Sequence, residues 1–297
     1  MMYCDNAEGM VFRPPSEANS FILRATVGCS HNACAFCSMY RGVRFRIRPQ
    51  EELAGIIHEA SRRWPEIRRV FLGDGNALVL PAEQLLHILD MLRRSFPKLS
   101  RVTCYGGPRD ILNKTPEELA ALRQAGLQII YLGIESGDDE VLRAIGKGVD
   151  SAAMIAAGQK VMASGIKLSA MVILGLGGKA RSREHALNTA RTVSAISPTM
   201  LSALTLMLHK GTPLRQAADR GEFSPLSPLE LLQELQLLIE HCEVASPCIF
   251  RSNHVSNLLP LAGTLPQDKA ALLGDIGEML EICRDRTLPS YNDTGAF

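Results

Sequence analysis

The sequence has almost no net charge and no apolar run long enough to cross a membrane. Its 297 residues contain 32 Lys and Arg against 31 Asp and Glu, which gives a net charge of +1. No global field therefore draws the chain to nucleic acid or to an anionic lipid surface, and neither partner is expected. The longest apolar runs, at 168–176 and 200–208, fall short of the roughly 20 residues of a membrane helix. They predict buried strands instead.

A secretory signal and a disulfide framework are not indicated either. Residues 1–9 have neither the basic start nor the apolar stretch of a signal peptide, so we expect a cytoplasmic protein. In that compartment the eight cysteines are expected to be reduced thiols, cofactor ligands or redox groups.

Short apolar runs alternate with longer amphipathic stretches through the first two-thirds of the chain. Strands are expected near 21–27, 69–73, 101–105, 129–134, 168–174 and 200–207. Helices are expected near 50–63, 81–95, 116–125, 138–145, 151–164 and 182–196. Repeated strand-then-helix units with such apolar strands predict an α/β fold with a parallel sheet, arranged as a partial (β/α)6 barrel.

The pattern changes after residue 210. Pro213, Pro225 and Pro228 interrupt the chain before helices expected near 228–243 and 267–284. We therefore predict a core at 1–210, followed at 211–297 by an α-rich C-terminal extension that closes the barrel mouth.

Three cysteines lie within nine residues, directly after the first predicted strand. Cys29, Cys34 and Cys37 have the short spacing that lets three thiolates hold three corners of a [4Fe–4S] cube. The fourth iron then has no protein ligand and is open to a small molecule. A Cys3His zinc site that includes His31 is the alternative, whereas Cys242, Cys248 and Cys283 match no compact ligand set and are interpreted as inert buried thiols.

Glycine-rich or polar clusters follow the other predicted strands. They begin at Gly73, Tyr105, Glu135 and Gly175. In parallel α/β folds the carboxyl ends of the strands carry the chemistry, so these clusters are candidates for a shared site.

These residues resemble the radical S-adenosylmethionine (SAM) superfamily over roughly residues 10–210. The resemblance rests on the clustered cysteines with Phe36 before the last, the glycine-rich end of the second strand, and Gly133-Ile-Glu-Ser-Gly137. It is greatest to the coproporphyrinogen-oxidase-like and elongator-type branches, and also extends to uncharacterised bacterial radical SAM proteins. The chain departs from the family's commonest cysteine spacing, because four residues rather than three separate Cys29 from Cys34.

The resemblance implies an enzyme that reductively cleaves SAM at a [4Fe–4S] cluster to a 5′-deoxyadenosyl radical, which abstracts hydrogen from a substrate. Cys29, Cys34 and Cys37 would bind the cluster, with no further catalytic residue assigned. Residues expected to position SAM are Phe36, Tyr40, Gly73, Asp74, Gly75, Glu135, Lys147 and Gly175. For Lys147, which would pair with the SAM carboxylate, an ordinary ion pair is the alternative.

The resemblance leaves the substrate open, whether a small molecule or a nucleoside, and implies a reducing partner such as flavodoxin or ferredoxin. Candidate substrate contacts are Tyr105, Arg109, Arg251, Asn253 and His254. Two other functions stay open: a zinc-stabilised RNA-binding protein and a non-catalytic Fe–S electron carrier. Arginines at 41, 44, 46 and 48 form a dense basic patch that fits RNA, an anionic substrate or a redox partner.

Overall fold

A computed structural model describes residues 10–285 as an alternation of strands and helices. The strands are β1 (Phe21–Arg24), β2 (Thr26–Val27), β3 (Arg46–Ile47), β4 (Arg69–Gly73), β5 (Arg101–Tyr105), β6 (Leu127–Glu135), β7 (Lys167–Leu174), β8 (Met200–Thr205), β9 (Cys248–Ser252) and β10 (Leu261–Leu265). The helices are α1 (Gln50–Arg63), α2 (Ala82–Ser95), α3 (Pro108–Asn113), α4 (Pro116–Gln124), α5 (Asp139–Ala144), α6 (Ser151–Ala163), α7 (Gly178–Ile196), α8 (Pro213–Asp219), α9 (Pro228–His241) and α10 (Lys269–Asp285).

Eight of these strands form one mostly parallel sheet in the order β1-β4-β5-β6-β7-β8-β9-β10. The pairs β1–β4, β4–β5, β5–β6, β7–β8 and β8–β9 are parallel, and β9–β10 is antiparallel. β2 and β3 form a separate two-stranded antiparallel sheet. The predicted α/β class with a parallel sheet is confirmed.

The chain divides into two compact units, which are described separately. Within its described part, unit 1 comprises residues 10–32, 39–132 and 160–168. All four residues of β1 are buried, and Phe21 packs against Trp64 and Phe96 with ring centroids 6.4 and 6.1 Å apart. Because β1, β4 and β5 are parallel, their carboxyl ends lie at one edge of the sheet.

Unit 2 comprises residues 33–38, 133–159 and 169–285 of the described chain. Side chains alternate along β9, where Phe250 is buried and Ile249 is 42% exposed. A Cβ built on Gly263 of β10 would lie 3.2 Å from Leu272, which places α10 against the buried face. Helices therefore cover one face of this part of the sheet.

The turn after β6 is fastened to α7. Ser136 Oγ lies 2.8 Å from His185 Nδ1, and Gly137 N–H donates to Thr189 Oγ1 at 2.9 Å. A Cβ on Gly137 would lie 2.2 Å from the Asn188 carbonyl oxygen, so only glycine allows this close approach.

Asp138 completes the same turn as the N-cap of α5. Its carboxylate accepts hydrogen bonds from Val141 N–H, from Arg181 Nε and Nη2, and from Asn188 Nδ2, at 2.8–3.1 Å. Burial alone raises the pKa of Asp138, but the hydrogen bonds from Arg181, Val141 and Asn188 outweigh it and lower the pKa to about 2.

The predicted boundaries need several corrections. The strand expected at 21–27 is divided at Ala25 into β1 and β2, and the helix expected at 182–196 begins at Gly178 and bends at Arg181, whose φ is −132°. The extension after residue 210 is not only helical, because β9 and β10 join the main sheet. The division at 210/211 stays a prediction, and 286–297 lie outside the described residues. No helix among those described is long and apolar enough to span a membrane.

Replacing Asp138 with asparagine is expected to lower the free energy of unfolding by about 2 kcal/mol at pH 7. The folded-state pKa lies below the unfolded one, so this contribution is present above pH 4 and is lost as the pH falls toward 2. Urea titrations should therefore give a difference between wild type and Asp138→Asn that shrinks to about half at pH 3. Asp275→Asn, at an exposed site on α10, is the control; equal effects of both variants would contradict the assignment.

Candidate iron–sulfur and SAM site

In unit 1, a buried ion pair holds the residue that precedes the first cysteine. Asp74 Oδ2 accepts hydrogen bonds from Arg24 Nε at 3.0 Å and Nη2 at 2.7 Å, and from Gly28 N–H at 2.9 Å. Gly75 N–H in turn donates to the Gly28 carbonyl at 3.1 Å. Both backbone polar groups of Gly28 are thus bound by the loop after β4, and the position of Cys29 follows from that loop.

The Arg24 and Asp74 side chains are 1% and 0% exposed. Burial raises the pKa of the Asp74 carboxyl, while the hydrogen bonds from Arg24 and Gly28 act in the opposite direction. Asp74 Oδ1 is also buried and accepts no hydrogen bond from any described residue. Removing Arg24 would therefore leave this carboxylate desolvated and unpaired, at a cost of about 3–5 kcal/mol.

The space beside Cys29 exists because residue 75 has no side chain. A Cβ built on Gly75 would lie 2.7 Å from Cys29 Cβ, 3.1 Å from Cys29 Sγ and 3.0 Å from Tyr40 Cε2. Tyr40 is only 3% exposed, and burial, followed by the nearby Asp74 charge, raises the pKa of its phenol. Gly75 therefore lies against both Cys29 and Tyr40, and the expected contact of Tyr40 and Gly75 with SAM stays a prediction.

A hydrogen-bond network at the same edge of unit 1 was not predicted. Asn76 Nδ2 donates to Ser30 Oγ at 2.9 Å and to Asp110 Oδ2 at 2.5 Å, and its Oδ1 accepts from Gly107 N–H at 2.8 Å. This joins the cysteine loop to the loops after β4 and β5. The signal in the sequence was an asparagine directly after Gly-Asp-Gly.

Two predicted substrate residues lie near this network in the chain. Tyr105 ends β5, with its ring centroid 5.1 Å from Phe71 and 6.0 Å from Tyr131. Arg109 lies on α3 and is exposed. Their role as substrate contacts stays a prediction.

In unit 2, the segment with the second and third cysteines is anchored through its backbone. Cys37 N–H donates to the Cys34 carbonyl at 3.2 Å, and Ala35 N–H donates to the Ile145 carbonyl at 2.8 Å. Phe36 packs against an apolar cluster formed by Val141, Leu142, Ile145, Leu176 and Leu206. Phe36 therefore has a packing role in this structure, and its expected contact with adenine stays a prediction.

Glu135 and Lys147, predicted separately as SAM contacts, form an ion pair with each other. Lys147 Nζ lies 2.9 Å from Glu135 Oε1, and the side chains are 10% and 14% exposed. Glu135 has a φ of 64°, a strained conformation for a residue with a side chain. A Cβ on Gly133 would lie 2.0 Å from Glu135 Oε1, so this glycine leaves the room that the carboxylate occupies.

Gly175, predicted to approach the adenosyl group, has a buried carboxylate as its partner. Its N–H donates to Glu234 Oε1 at 2.6 Å, and Ser182 Oγ donates to the other oxygen of Glu234. Burial raises the pKa of Glu234, opposed by His185 and these hydrogen bonds. Glu234 was not predicted, because α9 shows only amphipathic periodicity in the sequence.

The predicted substrate residues of unit 2 lie on β9 and just after it. Arg251 is exposed, and its Nη1 donates to the Phe250 carbonyl at 2.7 Å. His254 Nδ1 lies 2.8 Å from Ser256 Oγ, and burial lowers the pKa of His254. Asn253, between them, is exposed. Their contact with substrate stays a prediction.

The predicted cluster ligands Cys29, Cys34 and Cys37 are partly exposed and form no disulfide bond among the described residues. Among residues 10–285, no three His, Cys, Asp or Glu side chains surround one metal-ion position. The assignment of these three cysteines as ligands stays a prediction.

The other described cysteines are buried. Burial raises the pKa of the thiols of Cys104 and Cys248 to about 12 and that of Cys242 to about 11. Such thiols are poor ligands at neutral pH, which agrees with the interpretation of Cys242 and Cys248 as inert core residues.

A model of the radical SAM superfamily matches residues 23–192, more than half of the chain. The heme chaperone HemW of Bacillus subtilis is 24% identical over 178 residues, which cover 56% of this chain and 46% of that protein. The chain therefore spans about half the length of this curated relative.

Solved structures share the fold at low sequence identity. Methylornithine synthase (PylB) is 18% identical, with a TM-score of 0.54 over 93% of this chain and 75% of that one. Coproporphyrinogen III oxidase (HemN) from Escherichia coli is 19% identical, with a TM-score of 0.54 over 75% of this chain and 52% of that one. These likenesses confirm the predicted fold class.

Gly75→Ala is expected to remove most of the iron that the chain binds, because the added methyl group takes the space of the Cys29 side chain. The measurement is iron and sulfide per chain after anaerobic reconstitution. Gly55→Ala is the matched control: it adds the same group in α1, where nothing lies within 4 Å, and should keep full iron content. Wild-type iron content in Gly75→Ala would show that the close approach has no bearing on binding.

Proposed function

The chain belongs to the radical SAM superfamily, whose enzymes use a [4Fe–4S] cluster and SAM, and from this premise we propose that it cleaves SAM reductively to act on a small-molecule substrate. The observation that carries the proposal is the fixed, glycine-lined position of Cys29 next to Gly75. A cluster held by Cys29, Cys34 and Cys37 would supply the electron that reductive cleavage of SAM requires.

We assign the cluster to Cys29, Cys34 and Cys37. Asp74 then acts as a positioning residue rather than a contact to SAM, because its side chain is fully buried and Oδ2 already accepts three hydrogen bonds. Its task is to hold the backbone of Gly28, and so of Cys29, while Arg24 balances the buried charge.

Glu135 and Lys147 are assigned to the polar groups of SAM. Both are partly exposed: Glu135 ends β6 and Lys147 follows α5. Their ion pair orders two side chains of opposite charge before a ligand binds. A carboxylate accepts hydrogen bonds from ribose hydroxyls, and a lysine ammonium pairs with the SAM carboxylate. The strained φ of Glu135 fixes the direction of its side chain.

The reaction requires an electron donor from outside the chain. We assign this role to a one-electron carrier protein of the flavodoxin or ferredoxin type, and the substrate contacts to Tyr105, Arg109, Arg251, Asn253 and His254.

Anaerobically reconstituted protein with dithionite and SAM is expected to produce 5′-deoxyadenosine, measured by mass spectrometry. In Cys34→Ala the rate of 5′-deoxyadenosine formation should fall at least 100-fold, because a cluster ligand is missing. Cys283→Ala, a change at a cysteine on α10, should keep it. An iron-loaded wild type that forms no 5′-deoxyadenosine, or a protein that binds zinc in place of iron, would refute the proposed function.

A further inference from the structure

The segment that follows the cysteines presents a basic surface, here called the arginine ribbon and defined as residues 41–48. Its arginines at 41, 44 and 46 are exposed, whereas Arg48 is buried. Arg46 lies 3.4 Å from Glu52, and both of these side chains are more than one-third exposed. An exposed pair of this kind contributes only about 0–1 kcal/mol, so a carboxylate of a partner can replace Glu52 at little cost.

The arginine ribbon lies against the residue that precedes Cys29. In the β2–β3 pair, Arg46 is opposite Val27 and Ile47 is opposite Thr26. A Cβ on Gly28 would lie 3.3 Å from Val43 Cγ1 and 3.5 Å from Phe45 Cα. Adding one Cα–Cβ bond and one Cα–Cα step places Phe45 Cα within about 9 Å of Cys29 Cα. A protein bound to the ribbon is therefore within short reach of the first cluster ligand.

Apolar side chains accompany these charges. Ile47 is 44% exposed and Met39, two residues before the ribbon, is 38% exposed. Arginine and methionine are both enriched in protein–protein interfaces relative to the rest of the protein surface. A surface that combines exposed arginines with exposed Ile47 and Met39 is typical of a protein-binding site rather than of a charged face that contacts only water.

We propose that the arginine ribbon is the docking surface for an acidic one-electron carrier protein, an inference that rests on the proposed function. On docking, the reduced carrier loses one electron and the cluster held by Cys29 gains it, with no proton or group transferred. Transient electron-transfer complexes have small interfaces, and complementary charge steers their association. Three exposed arginines on a chain of net charge +1 form a local positive patch of the size that such an interface needs. Sequence-independent RNA binding would need many more phosphate contacts.

The direct test is the binding of purified flavodoxin and of a plant-type ferredoxin, measured by calorimetry at 50 mM salt. The charge-reversal variant Arg44→Glu/Arg46→Glu should bind the carrier at least tenfold more weakly than wild type, and wild-type binding should weaken as salt rises to 200 mM. The matched control is Arg93→Glu/Arg94→Glu, which reverses two exposed charges on α2 and should bind like wild type. Iron content and melting temperature are compared in all three proteins.

Activity provides a second readout. With the carrier as the electron source, Arg44→Glu/Arg46→Glu should form 5′-deoxyadenosine at least tenfold more slowly than wild type, while with dithionite the two rates should agree within twofold. Equal carrier binding by variant and wild type, or no carrier binding by wild type, would overturn the docking surface. So would equal losses with both reductants, or binding of transfer RNA that the variant alone loses. Absence of dithionite-driven cleavage in wild type would instead refute the proposed function itself.

Discussion

The buried ion pair between Arg24 and Asp74 is the interaction on which the candidate site in unit 1 depends. Two charges removed from water cost several kcal/mol each, and their mutual pairing and the hydrogen bond from Gly28 help to offset that cost. The pair therefore contributes geometry more than net stability. It joins the end of β1 to the loop after β4. Because Asp74 also accepts a hydrogen bond from Gly28, the pair fixes the position of the backbone before Cys29.

Glycines complete this geometry where side chains would not fit. Gly75 makes space for Cys29, and Gly28, with a φ of 81°, lets the arginine ribbon approach the cysteine loop. Unit 2 uses the same principle at a different place, since Gly133 makes space for the carboxylate of Glu135. In each unit, a residue of the candidate site occupies space that is available because the neighbouring glycine carries no Cβ.

Much of the fold was predictable because the apolar runs are short, strongly β-forming and separated by amphipathic segments. The bounds of α1, β4 and β5 agree with the prediction to the residue. β3 was not predicted, since alternating arginines give no hydrophobic signal, and α3 and α8 were not predicted either. β9 and β10 join the sheet through tertiary pairing that no local pattern specifies.

The sequence indicated several residues of the candidate site but not the side chains with which they form ion pairs and hydrogen bonds. Asp74 stood out by its place between two glycines, yet its pairing with Arg24 across 50 residues depends on the sheet register. Glu135 and Lys147 were each singled out, and their mutual ion pair requires the turn at α5 to bring them together. Glu234 carries no motif, because a buried hydrogen bond to backbone leaves no periodic trace in a sequence, and Asn76 is marked only by its place directly after Gly-Asp-Gly.

The most direct test of the central claim, that Cys29, Cys34 and Cys37 hold a cluster with an open iron, is the low-temperature electron paramagnetic resonance spectrum of the dithionite-reduced protein with and without SAM. A [4Fe–4S] signal whose g-values change when SAM is added is the predicted result, since the ligand would bind the open iron directly. A cluster signal that SAM leaves unchanged, or one that persists in Cys29→Ala, would contradict it.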